Sequence, residues 1–138
     1  HAQRQCGKTT ANGAVIDVDS TETHVTGLTG YLSASNGTVL VTDTWTLAKA
    51  QVESDDAVAT GVDFAEGVTL KIADHAKLTR KSAGGYYVLA RAADFTAVPT
   101  FDPDHPDAAR WSVQKVSVEG GYELRLVRAE CGLMLIVR

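Results

Sequence analysis

Six times along the 138 residues a glycine opens a run of β-branched and aliphatic residues. The clearest copies are Asn12-Gly13-Ala14-Val15-Ile16-Asp17-Val18, Asn36-Gly37-Thr38-Val39-Leu40-Val41 and Glu66-Gly67-Val68-Thr69-Leu70-Lys71-Ile72. Looser copies begin at Gly85, Gly121 and Gly132. Apolar residues two apart lie on one side of a pleated strand, so each phrase reads as a turn feeding a half-buried strand. The longest such run, Thr38 to Leu47, puts Val39, Val41, Trp45 and Leu47 on one face. Thr38, Thr42, Thr44 and Thr46 fall on the other, with Leu40 as the exception. Trp111–Val118 and Tyr122–Arg128, joined by Glu119-Gly120-Gly121, predict an antiparallel hairpin. In the closing run Leu133-Met134-Leu135-Ile136-Val137 the apolar residues do not alternate, which predicts a strand covered on both faces.

The rest of the chain is plainer. His24 to Leu32 is a strand region broken by Gly27 and Gly30, and Tyr86 to Ala92 is another strand. Lys49 to Thr60 holds the best helix candidate, although Asp55-Asp56 and its β-branched residues suit a loop or a single turn equally well. Three prolines and three aspartates between Pro99 and Ala108 predict an irregular loop, because proline cannot donate to a ladder. The expected organisation is therefore a flexible lead-in over 1–12 and one β-rich domain over 13–138. Within that domain the reading gives rungs over 13–98, a loop over 99–110, and a capping hairpin with last strand over 111–138. The expected core is Ile16, Val18, Val39, Val41, Trp45, Leu47, Val68, Leu70, Ile72, Val88, Leu124, Leu126, Leu135 and Val137.

A turn glycine feeding a strand, over and over, is how a stacked β architecture is written. The fold expectation is all-β: an irregular β-solenoid, parallel β-helix-like, with a C-terminal antiparallel hairpin cap. A β-sandwich is the alternative, since the glycines recur at irregular intervals of 11 to 36 residues. Hydrophobic content of 44% is ordinary for a globular chain. A net charge of −4 with both signs scattered argues against nucleic acid as a partner, because phosphate binding needs a concentrated basic patch. No apolar run approaches the ~20 residues of a membrane-spanning helix. The chain opens on His1 rather than methionine, which suits a processed product or a fragment.

The rungs named above, with Gly85-Tyr86-Tyr87-Val88-Leu89-Ala90-Arg91-Ala92, Trp111-Ser112-Val113 and Gly121-Tyr122-Glu123-Leu124-Arg125-Leu126, carry a resemblance. From Asn36 onward the chain resembles the C-terminal end of secreted bacterial β-helix proteins of the autotransporter-passenger and adhesin type. The resemblance implies an extracellular or cell-surface location and a structural or adhesive role without catalysis or cofactor. It also implies partners that are copies of the chain, cell-surface molecules or a glycan. A self-assembling filament subunit, joined by strand exchange or end-to-end stacking, is one alternative. A secreted carbohydrate-active enzyme or carbohydrate-binding module is another.

Candidate chemistry is sparse. Asp102, Asp104, His105 and Asp107 cluster on the proline-rich loop, where several oxygens could hold calcium. Their spacing lacks the calcium-loop glycine and terminal glutamate, so a solvated turn is the simpler expectation. A free N-terminal His1 could chelate copper with His24, His75 or His105, and a processing remnant is the plainer reading. Asp17, Asp19, Asp43, Glu66 and Asp94 could supply paired carboxylates for glycoside chemistry, against ordinary solvation of strand faces. Trp45 and Trp111 could stack on sugars, but their apolar neighbours point to the core. Cys6 and Cys131 are the disulfide candidates. Leu133, Met134, Leu135, Ile136 and Val137 are the candidates for assembly through an added strand.

Overall fold

The computed structural model describes residues 3–10, 14–17, 22–35, 37–54, 58–79 and 85–129. Among them the strands are β1 (Gln3–Thr10), β2 (Ala14–Asp17), β3 (Glu22–Thr29), β4 (Leu32–Ser35), β5 (Thr38–Leu47) and β6 (Ala59–Thr60). Six more follow: β7 (Val62–Phe64), β8 (Thr69–Ile72), β9 (Tyr86–Ala92), β10 (Thr100–Phe101), β11 (Trp111–Val118) and β12 (Gly121–Arg128). Helix among the described residues is confined to α1 (Lys49–Glu53) and the 3-10 turns Ala73–His75 and Ala108–Arg110. The protein is all-β.

One sheet runs β1-β3-β5-β8-β10, with β7 also paired to β5, and every pairing in it is parallel. The other runs β11-β12-β9-β6-β4-β2. It is parallel from β2 to β9 and antiparallel from β9 through β12 to β11. Up to β6 the chain crosses from one sheet to the other at each step. The crossings are tight where glycine allows it: Gly61 (φ 70°) alone separates β6 from β7. The sheets do not close into a barrel.

Strand β5 organises the first sheet. Val39, Val41, Trp45 and Leu47 are buried as the alternation predicts, and the threonines on the other face are half-buried. Asp43 falls in the same alternation but is exposed. The β3–β5 register shifts between Val25 and Gly27, so β5 carries an extra residue at this point. The bulge bends the strand and spares a carboxylate from the core. Opposite the same bend the pairing on the other side of β5 is split between two strands. Val39–Val41 pair with β7, Thr44–Leu47 pair with β8, and a turn at Glu66-Gly67 lies between.

Both sheets contribute to one core. Leu28, Trp45, Phe64, Leu70 and Ile72 come from the first, and Leu32, Leu89, Leu124 and Leu126 from the second. Each such side chain contributes about 1.5–3 kcal/mol on burial. Trp45 lies at the centre, 4.9 Å from the Phe64 ring and 6.0 Å from Tyr31.

Several sequence expectations change here. Gln3–Thr10, expected within a flexible lead-in, is an eight-residue strand, because parallel pairing with β3 engages one side of its backbone despite its polar composition. The 49–60 region yields only five helical residues, and then β6 and β7 form where no strand was expected. Within the expected loop over 99–110, Thr100–Phe101 adds a short strand to β8. In β9 the buried residues are Tyr87, Leu89 and Ala90, whereas Val88 is only half-buried. Val39, Val41, Trp45, Leu47, Val68, Leu70, Ile72, Leu124 and Leu126 are buried as expected. Ile16 lies in β2, while Val18, Leu135 and Val137 are outside the described residues.

Candidate functional site

The loop after β10 is a turn whose Pro103, Asp104 and Pro106 are exposed, but two of its polar residues are not solvated. Asp102 and His105 are 2% and 3% exposed. The cause is non-local. The Asp102 backbone N–H donates to Leu70 O at 2.8 Å, so the residue continues the pairing of β10 with β8 and is drawn under the sheet edge.

Each polar atom of the pair then finds a partner. Asp102 Oδ1 accepts the Asp104 N–H at 2.9 Å, and Oδ2 lies 3.2 Å from His75 Nε2. His105 Nε2 lies 2.8 Å from the Ala76 carbonyl, and Nδ1 accepts the Asp107 N–H at 2.9 Å. A carbonyl can only accept and an N–H can only donate, so His105 is the Nε2–H tautomer with both nitrogens engaged. Its ring also packs 5.1 Å from Phe101 and 5.9 Å from His75. Asp104 is exposed, and Asp107 reaches Arg110 Nε at 3.8 Å.

His75 comes from the other side of this cluster. Asp74 and His75 occupy the left-handed region, at φ 59° and 49°. Two successive non-glycine residues there cost on the order of 1–3 kcal/mol each. The reversal brings the His75 imidazole onto Asp102 while leaving it half-exposed. The imidazole thus meets a buried carboxylate from the open side of the cluster. Thr46, Lys71 and Asp74 line the same shallow groove of about 400 Å³.

The four loop candidates are therefore brought together, but as a folded turn. Asp102 and His105 spend their ligating atoms on protein partners, and no group of three His, Cys, Asp or Glu among the described residues is placed to hold a metal. Asp43 is exposed at the bulge of β5 and Glu66 at the turn facing it. Asp94 pairs with Lys115 at 3.0 Å beside the second sheet, and that hydrogen bond lowers its pKa. Asp17 lies in β2. Trp45 and Trp111 are both buried. His1, Asp19, Cys131 and the Leu133–Val137 segment lie outside the described residues.

No protein-family model, curated protein or solved structure matches the chain. No helix among the described residues is long and apolar enough to cross a membrane.

Sequence reading missed two features. The first is the pairing of His75 with Asp102, which carries no local signal because the two are 27 residues apart and meet only in the fold. The second is a set of basic residues, Lys77, Arg110 and Arg128, around one pocket. They stand far apart in the chain and meet only in the fold.

Proposed function

We propose that the chain is a structural or adhesive β-rich module that works outside the cell or at its surface, without catalysis. Its partners on this reading are other copies, surface molecules or a glycan. The finer architecture belongs to the same proposal: a short, irregular β-solenoid whose last rung is covered by the β11–β12 hairpin, like the rungs of autotransporter passengers and adhesins.

One observation carries the reading. Parallel pairing without slippage over the second half of β5 sets Thr29, Thr46 and Lys71 side by side, and likewise Thr44, Thr69 and Thr100. Strand spacing holds such rows at ~4.8 Å intervals, so the first sheet offers an ordered row of hydroxyls to a repetitive partner. A catalytic cleft needs convergent groups in a concave site, whereas the Thr44, Thr69 and Thr100 row suits an extended contact.

The test is binding of the intact protein to immobilised glycans, with release of soluble sugar measured in parallel. Retention without product, weakened by Thr44→Val with Thr69→Val, supports the proposal. Product release that disappears in His75→Asn would replace it with the carbohydrate-active enzyme, since the His75–Asp102 pair is the half-open imidazole–carboxylate contact described above.

A further inference from the structure

A second pocket, of about 230 Å³, opens where residues 77–78 meet the Ala108–Arg110 turn and the first pair of the β11–β12 hairpin. Lys77, Leu78, Asp107, Arg110, Trp111 and Arg128 line it. Three are cations and one is a carboxylate, in a protein whose net charge is −4. Asp107 pairs loosely with Arg110, 3.8 Å from its Nε, and one carboxylate against three cations leaves the lining with an excess of positive charge.

Arg128 is the unusual member. It is only 6% exposed, and its Nε has no hydrogen-bond partner. Guanidinium stays charged at any physiological pH, and a buried donor without a partner carries its full desolvation cost. The residue is nevertheless held firmly. Its backbone N–H donates to Gly85 O at 2.7 Å, and the next residue, Ala129, donates to Arg110 O at 2.8 Å. Trp111, its partner across the hairpin, is buried against Tyr87 with ring centres 5.8 Å apart. The pocket thus has a buried aromatic wall, a buried guanidinium on an anchored backbone, and two exposed cations in its lining, Lys77 and Arg110.

We infer that this pocket binds an oxyanion, namely a sulfate, phosphate or carboxylate group. Nε belongs to the guanidinium edge that pairs bidentately with such groups, which explains a donor otherwise left unsatisfied in the interior. Lys77 and Arg110 add attraction from the rim, and Trp111 offers an apolar surface to the body that carries the acid. The site stands on its own observations, so the adhesive reading can fail without it. The group could arrive as a free inorganic ion or as the acidic substituent of a sugar chain.

The experiment is titration calorimetry of the intact protein with four probes at matched ionic strength. These are sodium chloride, inorganic sulfate, inorganic phosphate, and galacturonate or sulfated disaccharide. Binding of an oxyanion but not chloride is expected, with a matching rise in melting temperature. Lys77→Gln with Arg110→Gln changes only exposed side chains and should weaken binding roughly tenfold or more, from the loss of charge-assisted contacts. Arg128→Lys keeps the charge but loses the fork, and should weaken it further. Tighter binding of the free ions marks an ion site, and tighter binding of the acidic sugars marks a glycan site. The inference is overturned if no oxyanion binds above the chloride level, or if binding is unchanged in both the rim pair and Arg128→Lys.

Discussion

Trp45 donates its indole N–H to the carbonyl of Gly30 at 2.9 Å, inside a core where the tryptophan has no solvent exposure. The bond ties the middle of β5 to the crossing between β3 and β4. The Gly30 N–H in turn donates to Thr46 O at 2.8 Å, so one glycine is held from both of its backbone groups. Trp45→Phe keeps an aromatic ring but leaves the carbonyl unpaired and a void behind. A loss of about 2–4 kcal/mol is expected in urea unfolding. A loss below ~1 kcal/mol would show that water or a shift of the chain replaces the bond.

Tyr31 is the converse case. Its ring packs edge-on to Trp45, but its hydroxyl is buried without a hydrogen-bond partner, and burial pushes its pKa upward. Tyr31→Phe removes the unsatisfied group and keeps the ring. The variant should be as stable as the parent or more so, by up to ~1 kcal/mol. A clear drop in melting temperature would reveal a partner for the hydroxyl in solution.

Two glycines with positive φ should respond differently to the same change. At Gly61 (φ 70°) an added Cβ would fall 2.3 Å from the Ala34 carbonyl oxygen, whereas at Gly67 (φ 88°) it meets nothing within 4 Å. Gly67→Ala should cost about 1–2 kcal/mol, from the left-handed backbone alone. Gly61→Ala adds a clash between two crossing chains and should cost at least twice as much. Thermal unfolding of the two variants side by side checks the contrast.

Glu123 sets an acid limit on stability. Arg91 Nε lies 2.8 Å from one of its oxygens and Arg125 Nε 2.9 Å from the other. The Arg91 hydrogen bond, with Arg125 assisting against the opposing effect of burial, holds its pKa below the ordinary 4.5. A depressed folded-state pKa contributes stability that is fully present above the unfolded value and lost as pH falls through the folded one. The gap in melting temperature between the parent and Glu123→Gln should therefore be widest at neutral pH and close as pH falls through the lowered folded-state value. A gap that persists into stronger acid would assign the loss to packing instead.

Cys6 lies in β1, at one edge of the first sheet, four strands from β10. At ~4.8 Å per strand that is about 19 Å. The described chain ends at Ala129 beside Arg110, at the far edge of the second sheet, and two further residues reach at most ~7 Å. A disulfide needs Cα atoms within ~6.8 Å, so a Cys6–Cys131 bond should form only between two chains. Non-reducing electrophoresis should show monomer, or multimers that collapse with reductant. A faster-migrating oxidised monomer would mean that the ends meet.

What the sequence made legible follows from where each signal is local. Strand β5 was readable because its two faces differ cleanly, and the hairpin because its turn glycines sit between two alternating runs. Strand β1 was not, since Gln3–Thr10 is polar and gains its structure only from pairing with β3. In β9 aromatic and aliphatic residues fall on both faces, so the pattern could not choose Tyr87 and Leu89 over Val88. The Asp102–Asp107 loop was recognisable by composition, but its burial depends on a hydrogen bond to Leu70 made across the sheet. Arg128 reads as the polar end of an ordinary strand until Trp111 and Arg110 are placed beside it.

The hairpin also bears on the order in which the molecule assembles. Val118 and Gly121 pair across a two-residue turn, whereas the parallel pairings join residues from 16 apart, as Glu22 with Thr38, to 31 apart, as Ala59 with Ala90. Each of those loops must be closed before its pairing is rewarded, so the parallel strands form slowly unless an edge is already waiting. The β11–β12 hairpin can supply that edge to β9, and β9 to the strands before it. Folding should then run from the C-terminal side toward β1. Substitutions in the hairpin should slow refolding, while substitutions in β1 should chiefly hasten unfolding.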